Sequence, residues 1–91
     1  MSIYFFETND AEQAYLTERL PGETLHFREG PLTTAAQARE ISDAEIVSPF
    51  VHSRLSADVI ESLPDLKMIA TRSTGFDHIN VPDAASRAIP V

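Results

Sequence analysis

The segment best suited to chemistry is a small loop of hydroxyl and glycine residues at positions 73–75. It consists of Ser73, Thr74 and Gly75, and it follows an apolar run at residues 66–70 that is typical of a short strand. In α/β proteins, ligands bind in loops at the carboxyl ends of strands. Backbone N–H groups in such a loop can converge on an anion, and a glycine lets the ligand approach the backbone closely. The loop is therefore predicted to hold an anionic group, although a plain turn between a strand and a helix would use the same residue types.

The charge balance limits what this chain can bind. Its 91 residues include 14 acidic and 7 basic side chains, which give a formal net charge of −7. A negative chain of this kind is not expected to bind nucleic acid or an anionic membrane surface. An anionic ligand must then be held locally, by backbone amides or a single arginine.

The cysteine count and the amino-terminal residues indicate the compartment of the chain and whether it carries a targeting or membrane segment. Without cysteine, the chain has neither a disulfide framework nor a thiolate metal site, which fits a reducing compartment. The amino-terminal apolar run at residues 3–6 is short and has no basic flank, so we predict neither a signal peptide nor a membrane span.

Apolar runs and helix-like segments alternate along the whole chain. Strands are predicted at residues 3–6, 24–27, 44–48, 66–70 and 89–91, and helices at about 10–20, 35–42, 57–63 and 81–87. Such alternation predicts an α/β fold with a parallel sheet, helices on both faces and right-handed crossovers. We therefore predict a single domain with a flavodoxin-like, five-stranded sheet in the order 2-1-3-4-5.

Polar residues at the predicted helix starts support these boundaries. Asn9 is followed three residues later by Glu12, and Thr34 by Gln37, which is the spacing of a capping box. Ser56 stands at the corresponding position of the third helix.

One long stretch resembles a known family. The sequence LPDLKMIATRSTGFDHIN at residues 63–80, followed by IPV at residues 89–91, resembles the D-isomer-specific 2-hydroxyacid dehydrogenases, which use NAD or NADP. Residues 1–45 resemble that family only in their order of strands and helices.

The resemblance implies roles for five residues. Ser73, Thr74 and Gly75 match the loop whose amides hold the carboxylate of a 2-hydroxy or 2-oxo acid in that family. Phe50 and Val51, after the third strand, match positions that line the substrate pocket near the side chain at C3. For Phe50 and Val51, packing within their own domain is an equally good interpretation.

Other family motifs do not occur in this chain. Its three glycines, Gly22, Gly30 and Gly75, lie in separate turns, so no G-x-G-x-x-G dinucleotide fingerprint is possible. The resemblance thus implies that residues 1–91 are one substrate-binding domain, truncated from a longer enzyme and inactive alone. The chain itself is expected to contain no catalytic residue, no cofactor site and no metal ligand. The full-length enzyme, with NAD or NADP, is implied to be a cytoplasmic homodimer.

An alternative is a free-standing flavodoxin-like binding or regulatory module without catalysis.

Several reactive side chains also have plainer explanations. Arg72 is expected to orient a loop or pair with an acid rather than to catalyse. His26, His52 and His78 lie on three different elements, so none is predicted to be a general base.

Overall fold

Four parallel strands form the sheet in the part of the chain that the structure describes. The structure is a computed structural model, and it describes residues 1–50, 52–72, 79, 81–87 and 89–90. The strands are β1 (Ser2–Phe5), β2 (Thr24–Phe27), β3 (Ile46–Ser48) and β4 (Met68–Ile69). Their order is β2-β1-β3-β4, which confirms the first four places of the predicted order. All three strand pairs are parallel.

The last described residues lie beside β4. The backbone N–H of Ile69 donates a hydrogen bond of 3.0 Å to the carbonyl of Pro90. Ile89 is buried in the same core as the sheet. This is the place predicted for a fifth strand, and the fifth strand itself stays a prediction.

In the described part of the chain, four helices connect and follow the strands. They are α1 (Asp10–Arg19), α2 (Ala35–Arg39), α3 (Ala57–Glu61) and α4 (Val81–Ser86). The chain runs from β1 through α1 to β2, and then back through α2 to β3 on the other side of β1. Because parallel crossovers are right-handed, these opposite directions put α1 and α2 on opposite faces of the sheet. The described part of the chain contains no helix long and apolar enough to cross a membrane.

The predicted capping boxes are present. Asn9 Oδ1 accepts a hydrogen bond of 2.8 Å from the Glu12 amide, and Thr34 Oγ1 accepts one of 3.2 Å from the Gln37 amide. Ser56 precedes α3 as predicted, but its side chain makes no bond to the helix backbone.

Helices α2 and α3 end earlier than predicted because their last turns tighten. The amide of Ile41 donates to the carbonyl of Ala38, and the amide of Leu63 donates to the carbonyl of Ile60. These bonds span three residues instead of four, as is common where a helix ends.

The hydrophobic core lies between the sheet and helices α2, α3 and α4. It contains, among others, Val47, Ile69, Ala38, Val59, Ile60, Leu63 and Ala84. Helix α1, by contrast, has no buried residue. The core fixes the strands, so the segments leaving their carboxyl ends start from a rigid base.

Candidate functional site

Glu7 is the first residue after the carboxyl end of β1 that turns away from the sheet. Its φ is +60°, in the left-handed region that non-glycine residues seldom adopt. Its amide donates a hydrogen bond of 3.0 Å to the carbonyl of Gly30. The turn at Glu7 directs its side chain towards the segment that follows β3.

The Glu7 carboxylate accepts four hydrogen bonds from three residues that we call the β3 loop: Phe50, His52 and Ser53. Oε2 accepts from the amide of Phe50 at 2.8 Å and from the Ser53 amide and hydroxyl at 3.1 and 2.8 Å. Oε1 accepts from the amide of His52 at 2.8 Å. Converging amides of this kind form a small anion-binding concavity. In this chain the anion that fills it is an internal side chain.

Ser53 links the β3 loop to the rest of the domain. Its side chain is completely buried, and its Oγ accepts a hydrogen bond of 3.0 Å from the amide of Leu32 while donating to Glu7. The amide of Arg54 in turn donates to the carbonyl of Leu32 at 2.7 Å. The loop is therefore anchored at its far end as well as at Glu7.

These contacts determine the protonation of Glu7. Burial of the carboxyl raises its pKa, but the hydrogen bonds from the Ser53 hydroxyl and from the amides of His52, Phe50 and Ser53 together lower it by more. The net result is a pKa below the ordinary value of 4.5. Glu7 is therefore an anion at neutral pH, which is the state that its four donors require.

Arg72 leaves the carboxyl end of β4 and reaches across the same edge. Its Nη1 forms an ion pair of 2.7 Å with Glu12 on α1. Its Nη2 donates to the carbonyl of Phe6, and its amide donates to the carbonyl of Pro49 at 3.1 Å. Among the described residues, the Nε of Arg72 is buried without a hydrogen-bond partner. The prediction that Arg72 pairs with an acid is confirmed, and the acid lies on the helix that packs on the opposite face from the main core.

Phe50 lies between these two charged groups. Its amide is bound by Glu7, and its ring centroid is 5.9 Å from the guanidinium carbon of Arg72. The residue remains 40% exposed, which is a large fraction for a phenylalanine. An exposed ring with a fixed backbone, next to the residue that leads into positions 73–75, is well placed to contact a ligand.

The other predicted substrate-binding residues lie outside the described part of the chain. These are Val51, Ser73, Thr74 and Gly75, and His78 is outside it too. Of the two described histidines, His26 stacks on Tyr4 with a centroid distance of 4.2 Å. The side chain of His52 is exposed.

Sequence reasoning missed Glu7. One signal was available, because Glu7 is an acid directly after an unbroken apolar strand, and strand ends of a parallel sheet gather at one edge. Among the described residues, no group of three histidine, aspartate or glutamate side chains is arranged to hold a metal ion. The described residues of this edge offer an aromatic surface at Phe50 and a loop bound to Glu7.

Sequence comparison identifies relatives of the chain. A family model described as the catalytic domain of D-isomer specific 2-hydroxyacid dehydrogenases matches residues 3–91. The glyoxylate reductase of Thermofilum pendens is 40% identical over 53 residues, which are 58% of this chain and 16% of that protein. Formate dehydrogenase 1 of Saccharomyces cerevisiae is 38% identical over 63 residues, which are 67% of this chain and 17% of that protein. The chain thus spans about a sixth of the length of these relatives.

Solved structures share the fold over nearly the whole chain. The D-lactate dehydrogenase of Escherichia coli has a TM-score of 0.85 at 27% identity, covering 100% of this chain and 31% of that chain. The D-lactate dehydrogenase of Aquifex aeolicus, complexed with NAD and lactic acid, has a TM-score of 0.84 at 26% identity. The match covers 98% of this chain and 27% of the Aquifex aeolicus chain. The described fold is thus similar to one part of these larger structures.

Proposed function

The chain belongs to the D-isomer-specific 2-hydroxyacid dehydrogenases, and on that premise we propose that it is the substrate-binding part of such an enzyme. The enzyme would transfer a hydride between NAD or NADP and a D-2-hydroxy acid or the corresponding 2-oxo acid. Family membership supports the reaction class.

The observation that carries this proposal is the meeting of two segments at the carboxyl edge of the sheet. The exposed ring of Phe50, after β3, lies 5.9 Å from the guanidinium carbon of Arg72, after β4. Residues 73–75 follow Arg72 directly in the sequence. The two segments proposed to contact substrate therefore start from neighbouring strands, side by side.

We assign different parts of the substrate to the two segments. The amides of Ser73, Thr74 and Gly75 would hold the carboxylate, because backbone N–H groups bind an anion without adding positive side chains to an acidic chain. Phe50 and Val51 would contact the side chain at C3. Holding the acid at both ends fixes the position of C2, and a fixed reacting atom is the main contribution of a substrate-binding domain.

The described residues do not fit a dinucleotide. A dinucleotide fingerprint needs a glycine-rich turn between a strand and a helix. The connection from β1 to α1 contains Phe6, Glu7, Thr8 and Asn9 instead. We therefore propose that NAD or NADP is bound by a separate domain of a longer protein, and that residues 1–91 do not turn over substrate alone. The same family relationship leads us to propose a cytoplasmic homodimer.

The proposal is tested by assaying the full-length enzyme for oxidation of NADH or NADPH with a series of 2-oxo acids. In an active enzyme, Thr74→Pro removes one amide N–H from the carboxylate site, whereas Thr74→Ala keeps it. A hydrogen bond to a charged group is worth about 1.5–3 kcal/mol, so Thr74→Pro should raise KM by about 10–100-fold. Thr74→Ala should leave KM within about twofold, since the N–H that binds the carboxylate remains.

Two results would contradict the proposal. If the enzyme oxidised neither cofactor with any 2-oxo acid, the proposed reaction class would be wrong. If the enzyme were active but Thr74→Pro, shown to be folded by circular dichroism, kept the wild-type KM, the carboxylate would be bound elsewhere.

A further inference from the structure

We propose that Glu7 is a positioning residue that sets the enzyme's selectivity for the substrate side chain. It would act by holding the β3 loop in one conformation, so that Phe50 presents its ring to the pocket at a fixed place. This inference rests on the proposed function, because it assigns the control of specificity within that same site.

The first support is the number and direction of the hydrogen bonds. The β3 loop directs three amides and one hydroxyl at the Glu7 carboxylate, with distances of 2.8–3.1 Å. A carboxylate only accepts hydrogen bonds, and it has room for all four donors. A glutamine at this position would offer one accepting oxygen and would point an NH₂ group at N–H donors. The arrangement therefore needs the charged acid rather than a polar side chain of the same size.

The second support is the backbone of Glu7. A left-handed φ of +60° is unfavourable for a glutamate and persists only where surrounding contacts impose it. Here it is accompanied by the bond from the Glu7 amide to Gly30 and by the four bonds to the β3 loop. Unfavourable backbone conformations of this kind concentrate at functional sites.

The third support is the absence of a stabilising cation. Within the described residues, the ion pairs are Met1 with Glu23, Lys67 with Glu45, and Arg72 with Glu12. The Glu7 carboxylate instead accepts hydrogen bonds from neutral donors of one loop. A carboxylate in that situation controls the conformation of the loop rather than the charge of the edge.

Phe50 is the residue of the loop that would contact the substrate. Its backbone is fixed by Glu7, while its ring is half-exposed and packs against the Arg72 guanidinium. Release of the backbone would let the ring move relative to the Arg72 guanidinium. The expected result is altered discrimination between small and large substrate side chains, with the carboxylate still bound.

The experiment compares Glu7→Gln with Glu45→Gln in the full-length enzyme. Glu45 also accepts a hydrogen bond from a backbone amide, that of Ser2, but at the opposite end of the sheet. For each variant, kcat/KM is measured with 2-oxo acids that carry a methyl or an aromatic side chain. We expect Glu7→Gln to change the ratio of the two kcat/KM values by about tenfold or more, mainly through KM, and Glu45→Gln to change it by less than about twofold.

Two further measurements separate positioning from a general loss of structure. Hydrogen exchange at the amides of Phe50, His52 and Ser53 should become about tenfold faster in Glu7→Gln, while exchange in β1 and β3 stays at the wild-type rate. In a Phe50→Ala background, Glu7→Gln should no longer alter the selectivity ratio, because the side chain through which it acts is gone. If Glu7→Gln does not fold, Glu7→Asp, which keeps the charge but shortens the side chain, is measured in its place.

The outcomes distinguish this inference from the proposed function. A wild-type enzyme inactive on every 2-oxo acid would overturn both. An active enzyme in which Glu7→Gln keeps the wild-type selectivity, or alters it equally with and without Phe50, would overturn the role of Glu7 alone.

Discussion

The two ends of the sheet each use a glutamate to bind backbone amides, but for different purposes. At the amino end, Glu45 accepts a hydrogen bond from the Ser2 amide at 3.0 Å and pairs with the Lys67 ammonium at 2.9 Å. At the carboxyl end, the Glu7 carboxylate binds the β3 loop. The difference lies in what else holds the groups that each glutamate contacts.

Ser2 and Lys67 are already positioned by the sheet. The amide of Glu45 donates to the carbonyl of Ser2, and the amide of Lys67 donates to the carbonyl of Glu45. The Glu45 side chain therefore reinforces backbone pairing that exists without it. The amides of Phe50 and His52 lie beyond the end of β3, outside its ladder, and both donate to the Glu7 carboxylate instead. At the amino end, the Glu45 side chain adds to backbone pairing that is already complete. At the carboxyl end, the Glu7 side chain binds amides that no strand pairing holds.

The largest expected effect is that of truncating Glu7. Glu7→Ala removes an acceptor of four hydrogen bonds and leaves a left-handed alanine, so we expect a loss of about 2–4 kcal/mol in the free energy of unfolding. Glu7→Gly removes the same carboxylate but tolerates the backbone, and it should lose about 1 kcal/mol less than the alanine variant. Urea denaturation followed by circular dichroism measures both. Equal stability of the two variants would show that the backbone conformation of Glu7 carries no cost.

Substitution of Arg72 should cause the second-largest loss of stability. Arg72→Met removes the ion pair with Glu12 and the bond to the Phe6 carbonyl but keeps much of the side-chain volume. Because Glu12 is 40% exposed, water can solvate it after the change, which limits the loss to about 1–3 kcal/mol. Arg54→Met, at an exposed arginine, is the matched control and should be close to neutral. A loss as small as that of the control would mean that the contacts of Arg72 do not stabilise the carboxyl edge.

Acid should lower the free energy of unfolding through both glutamates, and protonation of Glu7 should account for more of that loss than protonation of Glu45. The pKa values of Glu7 and Glu45 are lower in the folded protein than the ordinary 4.5, Glu45 chiefly through its hydrogen bond with Lys67. Their stabilising contribution is therefore complete above pH 4.5 and is lost as the pH falls through the folded pKa values. Unfolding free energies measured from about pH 6 to about pH 3 should decline less steeply in Glu7→Gln than in the wild type. An unchanged slope would mean that Glu7 binds protons equally in the folded and unfolded states.

The smallest effect is expected at the amino end. Glu45→Gln removes the charge of an exposed pair whose backbone neighbours remain bonded, so the free energy of unfolding should change less than in the Glu7 and Arg72 variants. What change there is should disappear in about 1 M salt, which screens exposed charges over a few ångströms. The effect of Glu7→Gln should persist in salt, since its donors are neutral. If salt abolished both effects, the contrast between the two ends would be wrong.

The fold was predictable because its signals are local. Short runs of strand-forming residues predicted each of the four described strands to within two residues, and the capping boxes at Asn9 and Thr34 depend on residues three positions apart. The right-handed crossover rule then left few possible strand orders. The early ends of α2 and α3 were not predicted, since a tightened last turn depends on how the chain leaves the helix and not on the composition of the helix.

The candidate site was only partly predictable. The family resemblance implied Phe50, Val51 and residues 73–75 as substrate contacts, and of these the described structure includes Phe50, at the carboxyl edge of the sheet. That Arg72 would meet an acid was predicted, but not that the acid is Glu12, which lies 60 residues earlier. Opposite charges are common on a protein surface, and only the packing of α1 on the sheet selects one pair.

The sequence by itself determined the order of the elements, the caps of α1 and α2, and the family to which the chain belongs. Only the tertiary structure decided the role of Glu7, whose partners lie 43 to 46 residues further along the chain. Its contacts require β1 and β3 to be neighbours in register and the backbone at Glu7 to turn left-handed. Neither condition is written in the residues around position 7, because register and backbone turns at a strand end are fixed by the pairing of distant segments.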